Sequence, residues 1–226
     1  MEKIKINDND RKVVRGLSKF IAVLNKIGRV FIYVGIIAII IVMSFIPTIV
    51  NHTKIKNDSI IIGYSDRKLE IKKDGNKTIF YEDGKKIGSD KDTEVYDFIV
   101  NKFDKYSNKQ LIGYTESYFI IIVAYLFITS IILKYAEKLF KNISSEKTPF
   151  TSDNLELIYN TLKYKIVAIV IPIIGIIIFD AILKLGNPFD FSSTGLVDLL
   201  MMFVFLYVFK YACQLQSNSS ETFYDW

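Results

Sequence analysis

Apolar residues in this chain are not scattered. They gather into four long blocks separated by charged segments, the arrangement of a membrane protein rather than of a globular core. The first block, residues 30–50, carries no charge and reaches about 30 Å as a helix, the hydrocarbon thickness of a bilayer. It is too long for a signal-peptide core and no small-residue cleavage site follows it, so it reads as a retained span. The second block covers 115–136, with Glu116 at its outer edge and Lys134 at its inner edge. The third covers 166–185, with Pro172 and Gly175 inside, and a kink is expected just before Pro172. The fourth covers 196–213, and 186–195 form a short outer turn marked by Gly186, Asn187, Pro188 and Gly195.

The segments between the blocks have their own periodicity. Within 1–29, Val13, Val14, Leu17, Phe20, Ile21, Leu24 and Ile27 recur at helical spacing among Arg11, Lys12, Arg15, Lys19 and Lys26. That is a basic amphipathic helix, suited to the anionic inner surface of a membrane and to leading into the first span. Residues 51–114 form the one sizeable water-facing segment. Strand-like runs at 60–64, 68–72 and 77–81 are punctuated by Asp74-Gly75-Asn76 and Asp83-Gly84, both hairpin signals. A helix over 93–104 then places Val95, Phe98, Ile99 and Phe103 on one face. A small β-meander followed by a helix is expected, with a thin core.

Residues 137–165 form an inner loop. Pro149 ends one helix, and Thr151 or Ser152 can cap the next. Two helices therefore meet at a turn. The tail is 214–226.

Charge sets the orientation. Lys plus Arg number eight in 1–29 and six from Lys134 to Lys165, against one in the 184–195 turn. The thirteen in 51–114 weigh little, because long segments translocate regardless of charge. Both termini are therefore expected on the cytoplasmic side of a bacterial plasma membrane. The fold expected is mainly α and integral to the membrane: a four-helix transmembrane bundle with an extracytoplasmic β-meander-plus-helix insert between spans one and two.

Composition narrows the chemistry. The net charge of +5 is explained by residues flanking the spans, so no direct nucleic-acid binding is expected. The single Cys213 and single His52 exclude an internal disulfide, the usual His and Cys zinc cages and a Cys–His catalytic pair within one side of the membrane. No catalytic residue, metal site or cofactor is expected, and the protein does not read as an enzyme. Four charges lie within or beside spans. Asp180 and Lys184 stand one helical turn apart and can pair, Asp198 lies near the outer end of the fourth span, and Lys210 can snorkel to the inner headgroups.

Two motifs remain. Leu139-Phe140-Lys141-Asn142-Ile143 is followed by Pro149-Phe150-Thr151 and Asn154, and Tyr211-Ala212-Cys213-Gln214-Leu215-Gln216 by Glu221-Thr222. Together they resemble the signatures of a bacterial family of four-span membrane proteins of uncharacterised function, over residues 115–224. Members are often encoded beside a small helix-turn-helix regulator. The chain departs from that pattern at Ala212, usually Gly, and Phe223, usually Leu, and the Ala puts a close helix contact in doubt. The resemblance implies a membrane protein that works with a cytoplasmic helix-turn-helix regulator, and no catalysis.

Both motifs fall on the cytoplasmic side. Phe150, Thr151, Asn154, Gln214 and Gln216 are therefore the candidate partner surface, unless they only cap and join helices. The partners expected are the lipid bilayer and that regulator. The expected function is a membrane-bound sensor or regulatory interaction protein acting through its cytoplasmic face. The alternative is a small transporter or channel subunit, or an immunity protein against a membrane-active peptide. A transporter should carry polar groups near the bilayer midplane, whereas the charges here cluster at span ends.

Overall fold

The computed structural model describes residues 8–56, 59–64, 67–91, 93–145, 149–177 and 194–221. Asp180, Lys184, the 186–193 part of the outer turn and the last five residues lie outside these. Among the described residues there are five helices and one five-stranded sheet. Four helices are long and apolar enough to cross a membrane. The chain divides into two compact units, one of residues 1–37 with 121–226 and one of residues 38–120.

In the first unit α1, Asp8–His52, is continuous through the point where the sequence separates a lead-in helix from a span. Gly28 and Arg29 stand at that point, but no proline or run of turn residues accompanies them, so helix propagates. The face it turns inward is small and polar: Ser18 and Ala22 are buried, while Val13, Leu17, Phe20, Leu24 and Ile27 remain exposed. Further along, Gly28 lets Leu133 of α3, Asn108–Ser145, approach: a Cβ on Gly28 would sit 3.3 Å from Leu133 Cδ1. Ser130 of α3 is 2% exposed, yet Phe31 is 71% exposed. Small residues inside and large apolar residues outside is the membrane-helix pattern, inverted from that of a water-soluble bundle.

Three side-chain pairs tie four helices at one level of this unit. Arg29 Nη2 lies 2.8 Å from Glu137 Oε2, joining α1 to α3. The rings of Tyr135 and Tyr164 stack at 5.6 Å, joining α3 to α4, Ser152–Ile177. Lys165 Nζ donates to Asp198 Oδ2 at 3.2 Å, joining α4 to α5, Thr194–Glu221. Below this level a core forms from Leu139, Leu157, Ile158 and Phe209, with Tyr135, Ile143, Leu155, Leu206 and Cys213 packed around it.

This register departs from the sequence reading in one respect. Asp198 was expected near an outer end and Lys165 in the inner loop, yet the two are partners. The antiparallel register lays 199–213 beside 151–164. Burial of Phe209 among Leu139, Leu157 and Ile158 selects it. Hydropathy along the chain contains no information about which helix a stripe will meet.

The second unit holds the meander. Strands β1, Thr53–Lys56, β2, Ser59–Tyr64, β3, Arg67–Asp74, β4, Lys77–Glu82, and β5, Lys85–Asp90, pair antiparallel in sequential order. Three strand runs were legible in the sequence; β1 and β5 were not, because each is short and largely polar. Both hairpin signals act as expected. Gly75 has φ 57°, and Asp83 and Gly84 have φ 49° and 79°, the positive pair that a type I′ turn requires.

Helix α2, Glu94–Lys105, turns Tyr96 inward, at 5% exposure. The expected apolar face was centred on Val95, Phe98, Ile99 and Phe103 and did not include Tyr96. Lys73 Nζ contacts Asp97 Oδ1 and Oδ2, each at 2.7 Å, and fastens α2 to the sheet. Ser107 and Gln110 form a capping box ahead of α3: Ser107 N donates to Gln110 Oε1 at 3.0 Å and Gln110 N to Ser107 Oγ at 3.4 Å. Within this unit Ile46 and Val50 of α1 pack against Leu111.

Candidate functional site

The turn between α3 and α4 is built around one side chain. Asn154 is fully buried. Its Oδ1 accepts from Asn142 Nδ2 at 3.1 Å, and its Nδ2 donates to the Pro149 carbonyl at 3.0 Å. Its backbone N donates to Thr151 Oγ1 at 3.3 Å, which makes Thr151 rather than Ser152 the N-cap of α4. Asp153 in the first turn meets the positive end of the helix dipole. Two amides, a cap and a proline carbonyl thus hold α3 and α4 in one hairpin. A buried amide left without partners is costly, and this one satisfies both ends of its group.

The end of α5 docks on that turn. Phe209 is 4% exposed and its ring meets Phe150 at 5.2 Å. The Cys213 thiol donates to the Thr151 carbonyl at 3.8 Å. The two sequence motifs, 62 residues apart at this contact, are therefore one place in the fold. Cys213 is occupied there as a small half-buried packing residue.

Between α4 and α5 run two adjoining grooves. One of about 440 Å³ is lined by Phe150, Ser152, Leu155, Lys210, Cys213, Gln214, Gln216 and Ser217. The other, of about 540 Å³, shares Ser152, Leu155 and Lys210 with it and continues along Glu156, Tyr159, Phe203, Leu206 and Tyr207. Of the expected surface residues, Phe150, Gln214 and Gln216 line the groove. Thr151 and Asn154 do not: they build the turn beneath it, and Asn154 is inaccessible.

Lys210, read from sequence as a snorkelling charge, lies where the two grooves join. Asp198 is an ion-pair partner. Leu155, Tyr159 and Phe203 were missed, and their only sequence signal was their place in amphipathic or apolar helices. Among the described residues no group of three His, Cys, Asp or Glu side chains comes together as a metal cage. The arrangement offers an apolar floor with amide, ammonium and carboxylate groups at its edges, which suits binding.

The β-meander insert carries charge on one sheet face. Glu70 lies 3.2 Å from Lys72 Nζ and 3.7 Å from Lys68 Nζ. The hydrogen bond from Lys72 holds its carboxyl below the usual carboxylate range.

Comparison with known proteins finds no matching family model, curated protein or solved structure. The family resemblance rests on the two motifs alone.

Proposed function

We propose that this chain is a multi-pass protein of a bacterial plasma membrane, with both termini cytoplasmic, acting as a membrane-bound sensor or regulatory interaction protein through its cytoplasmic face. The observation that carries the interaction reading is the seat of Phe209 on Phe150. It joins the α3–α4 turn to the end of α5 and opens a groove whose rim carries Gln214, Gln216 and Lys210. The partner best suited is a soluble cytoplasmic helix-turn-helix regulator, as the family resemblance implies.

Membrane residence is supported by surface chemistry. Phe31, Val34, Ile37, Ile120 and Phe127 are all more than half exposed. Burying such surface in lipid contributes about 25 cal/mol per Å². Hydroxyls in the apolar helices donate back to their own helix, as Ser44 does to the Ile41 carbonyl and Thr129 to the Tyr125 carbonyl, and so offer no unpaired group to hydrocarbon.

The test is affinity capture in mild detergent from the native host. The wild-type chain should retain a helix-turn-helix regulator that Phe150→Ala and Gln214→Ala lose while remaining monodisperse. Undiminished capture by both variants would sink the interaction reading. Solute or ion flux in liposomes without any partner would favour the transporter alternative.

A further inference from the structure

The insert between β1 and α2 contains a cavity that the groove on the other unit leaves unexplained. It has a volume of about 150 Å³ and is lined by Ile60, Ile71, Thr78, Phe80, Asp90, Tyr96 and Ile99. Its floor follows from strand register. Ile60 pairs with Ile71, and Ile71 with Phe80, so these side chains form one row across β2, β3 and β4. Thr78 pairs with Asp90 two residues along, on the same face by alternation. Its roof is α2, through Tyr96 and Ile99, fastened by the Lys73–Asp97 pair.

Three properties of this cavity select a ligand class. Its volume is about that of an internal site able to hold a benzene-sized molecule. Its walls are mostly apolar, and Phe80 and Tyr96 contribute two aromatic rings. Asp90 is the one residue with a formal charge on the lining, and that charge is negative. A carboxylate at the edge of an aromatic-walled pocket attracts a cation by direct charge, while the apolar walls suit an apolar body attached to it. Most of the pocket rejects a strongly hydrated ion such as Na⁺, because nothing replaces its water.

We propose that this cavity is the binding site for a small organic ammonium of about eight heavy atoms, its cationic head against Asp90 and its apolar body between Phe80, Tyr96 and Ile99. The proposal rests on the sensor reading and names the class of signal that the outer insert takes. Occupancy bridges sheet and α2, so it changes how firmly that helix is held.

The probe is benzylammonium chloride, titrated into the full-length protein in mild detergent and followed by hydrogen exchange at α2 and the sheet. The expected result is saturable protection of α2. Neutral benzyl alcohol, of the same size, should require at least tenfold higher concentration, and Asp90→Asn should weaken benzylammonium at least tenfold while its sheet amides stay protected. Equal protection by benzyl alcohol in the wild-type protein, an unchanged midpoint in a folded Asp90→Asn variant, or no saturable protection would each overturn the proposal. Regulator capture through Phe150 and Gln214 is measured without this probe. Its loss tests the interaction reading separately, so either reading can fail while the other stands.

Discussion

Arg29 and Glu137 meet at 2.8 Å, each about one-fifth exposed, where α1 and α3 cross the level shared by all four long helices. Arg29 Nε and Glu137 Oε2 are both buried without a hydrogen-bond partner among the described residues, so the two charges are held close without an aligned hydrogen bond. Removing one member strands the other in a partly desolvated site. Arg29→Ala and Glu137→Ala should each destabilise by about 2 kcal/mol, between the values for exposed and fully buried pairs. Arg29→Met with Glu137→Leu should recover most of that loss. Thermal unfolding in detergent measures it, and single variants within 0.5 kcal/mol of wild type, on the order of ordinary surface changes, would remove the pair from the stability argument.

Asn154 anchors the hairpin that carries the groove. Asn154→Ala leaves the Asn142 amide and the Pro149 carbonyl without their partner and should cost about 2–3 kcal/mol. Thr151→Ala removes the cap and should cost about 1 kcal/mol, with Thr151→Ser close to neutral. The ranking matters more than either value. If Thr151→Ala proved the more damaging, the amide network would not be the anchor.

Lys165 and Asp198 test the packing of α4 against α5. In a Cys213→Ser background, Lys165→Cys with Asp198→Cys should form a disulfide on mild oxidation, since their native side chains pair at 3.2 Å. Failure of the folded double variant to cross-link would mean that α4 and α5 meet in another register.

Acid should loosen the β-meander insert through Glu70. Its carboxyl titrates below the ordinary range in the fold because Lys72 hydrogen-bonds to it. The stabilisation is therefore present above the unfolded value of about 4.3, and is lost as pH falls through the lower folded value. Amide exchange in β3 and β4 should accelerate below about pH 4 in the wild-type chain and less so in Glu70→Gln. Equal acid sensitivity in the two would assign the effect to other carboxylates.

Much of the fold was readable before any coordinates. The apolar blocks, the Gly75 and Gly84 turns and the Pro149 break are local signals, each carried by a few adjacent residues. The Ser107–Gln110 capping box is an equally local signal. Strands β1 and β5 had no such signal. Thr53–Lys56 alternates too briefly, and Lys85–Asp90 is polar and extended because β4 offers it a ladder. At the candidate site the sequence named Phe150, Gln214 and Gln216. It did not separate them from Thr151 and Asn154, whose role beneath the surface depends on burial.

Local chemistry thus prescribes which stretches avoid water and where the chain turns, because hydropathy and turn propensity act over a few residues. Partner choice required the folded chain. Asp198 joins Lys165, Phe209 seats on Phe150, and α1 turns Ser18 and Ala22 inward. Those outcomes depend on shape and charge complementarity between residues far apart in sequence, and such complementarity leaves no periodic mark along the chain.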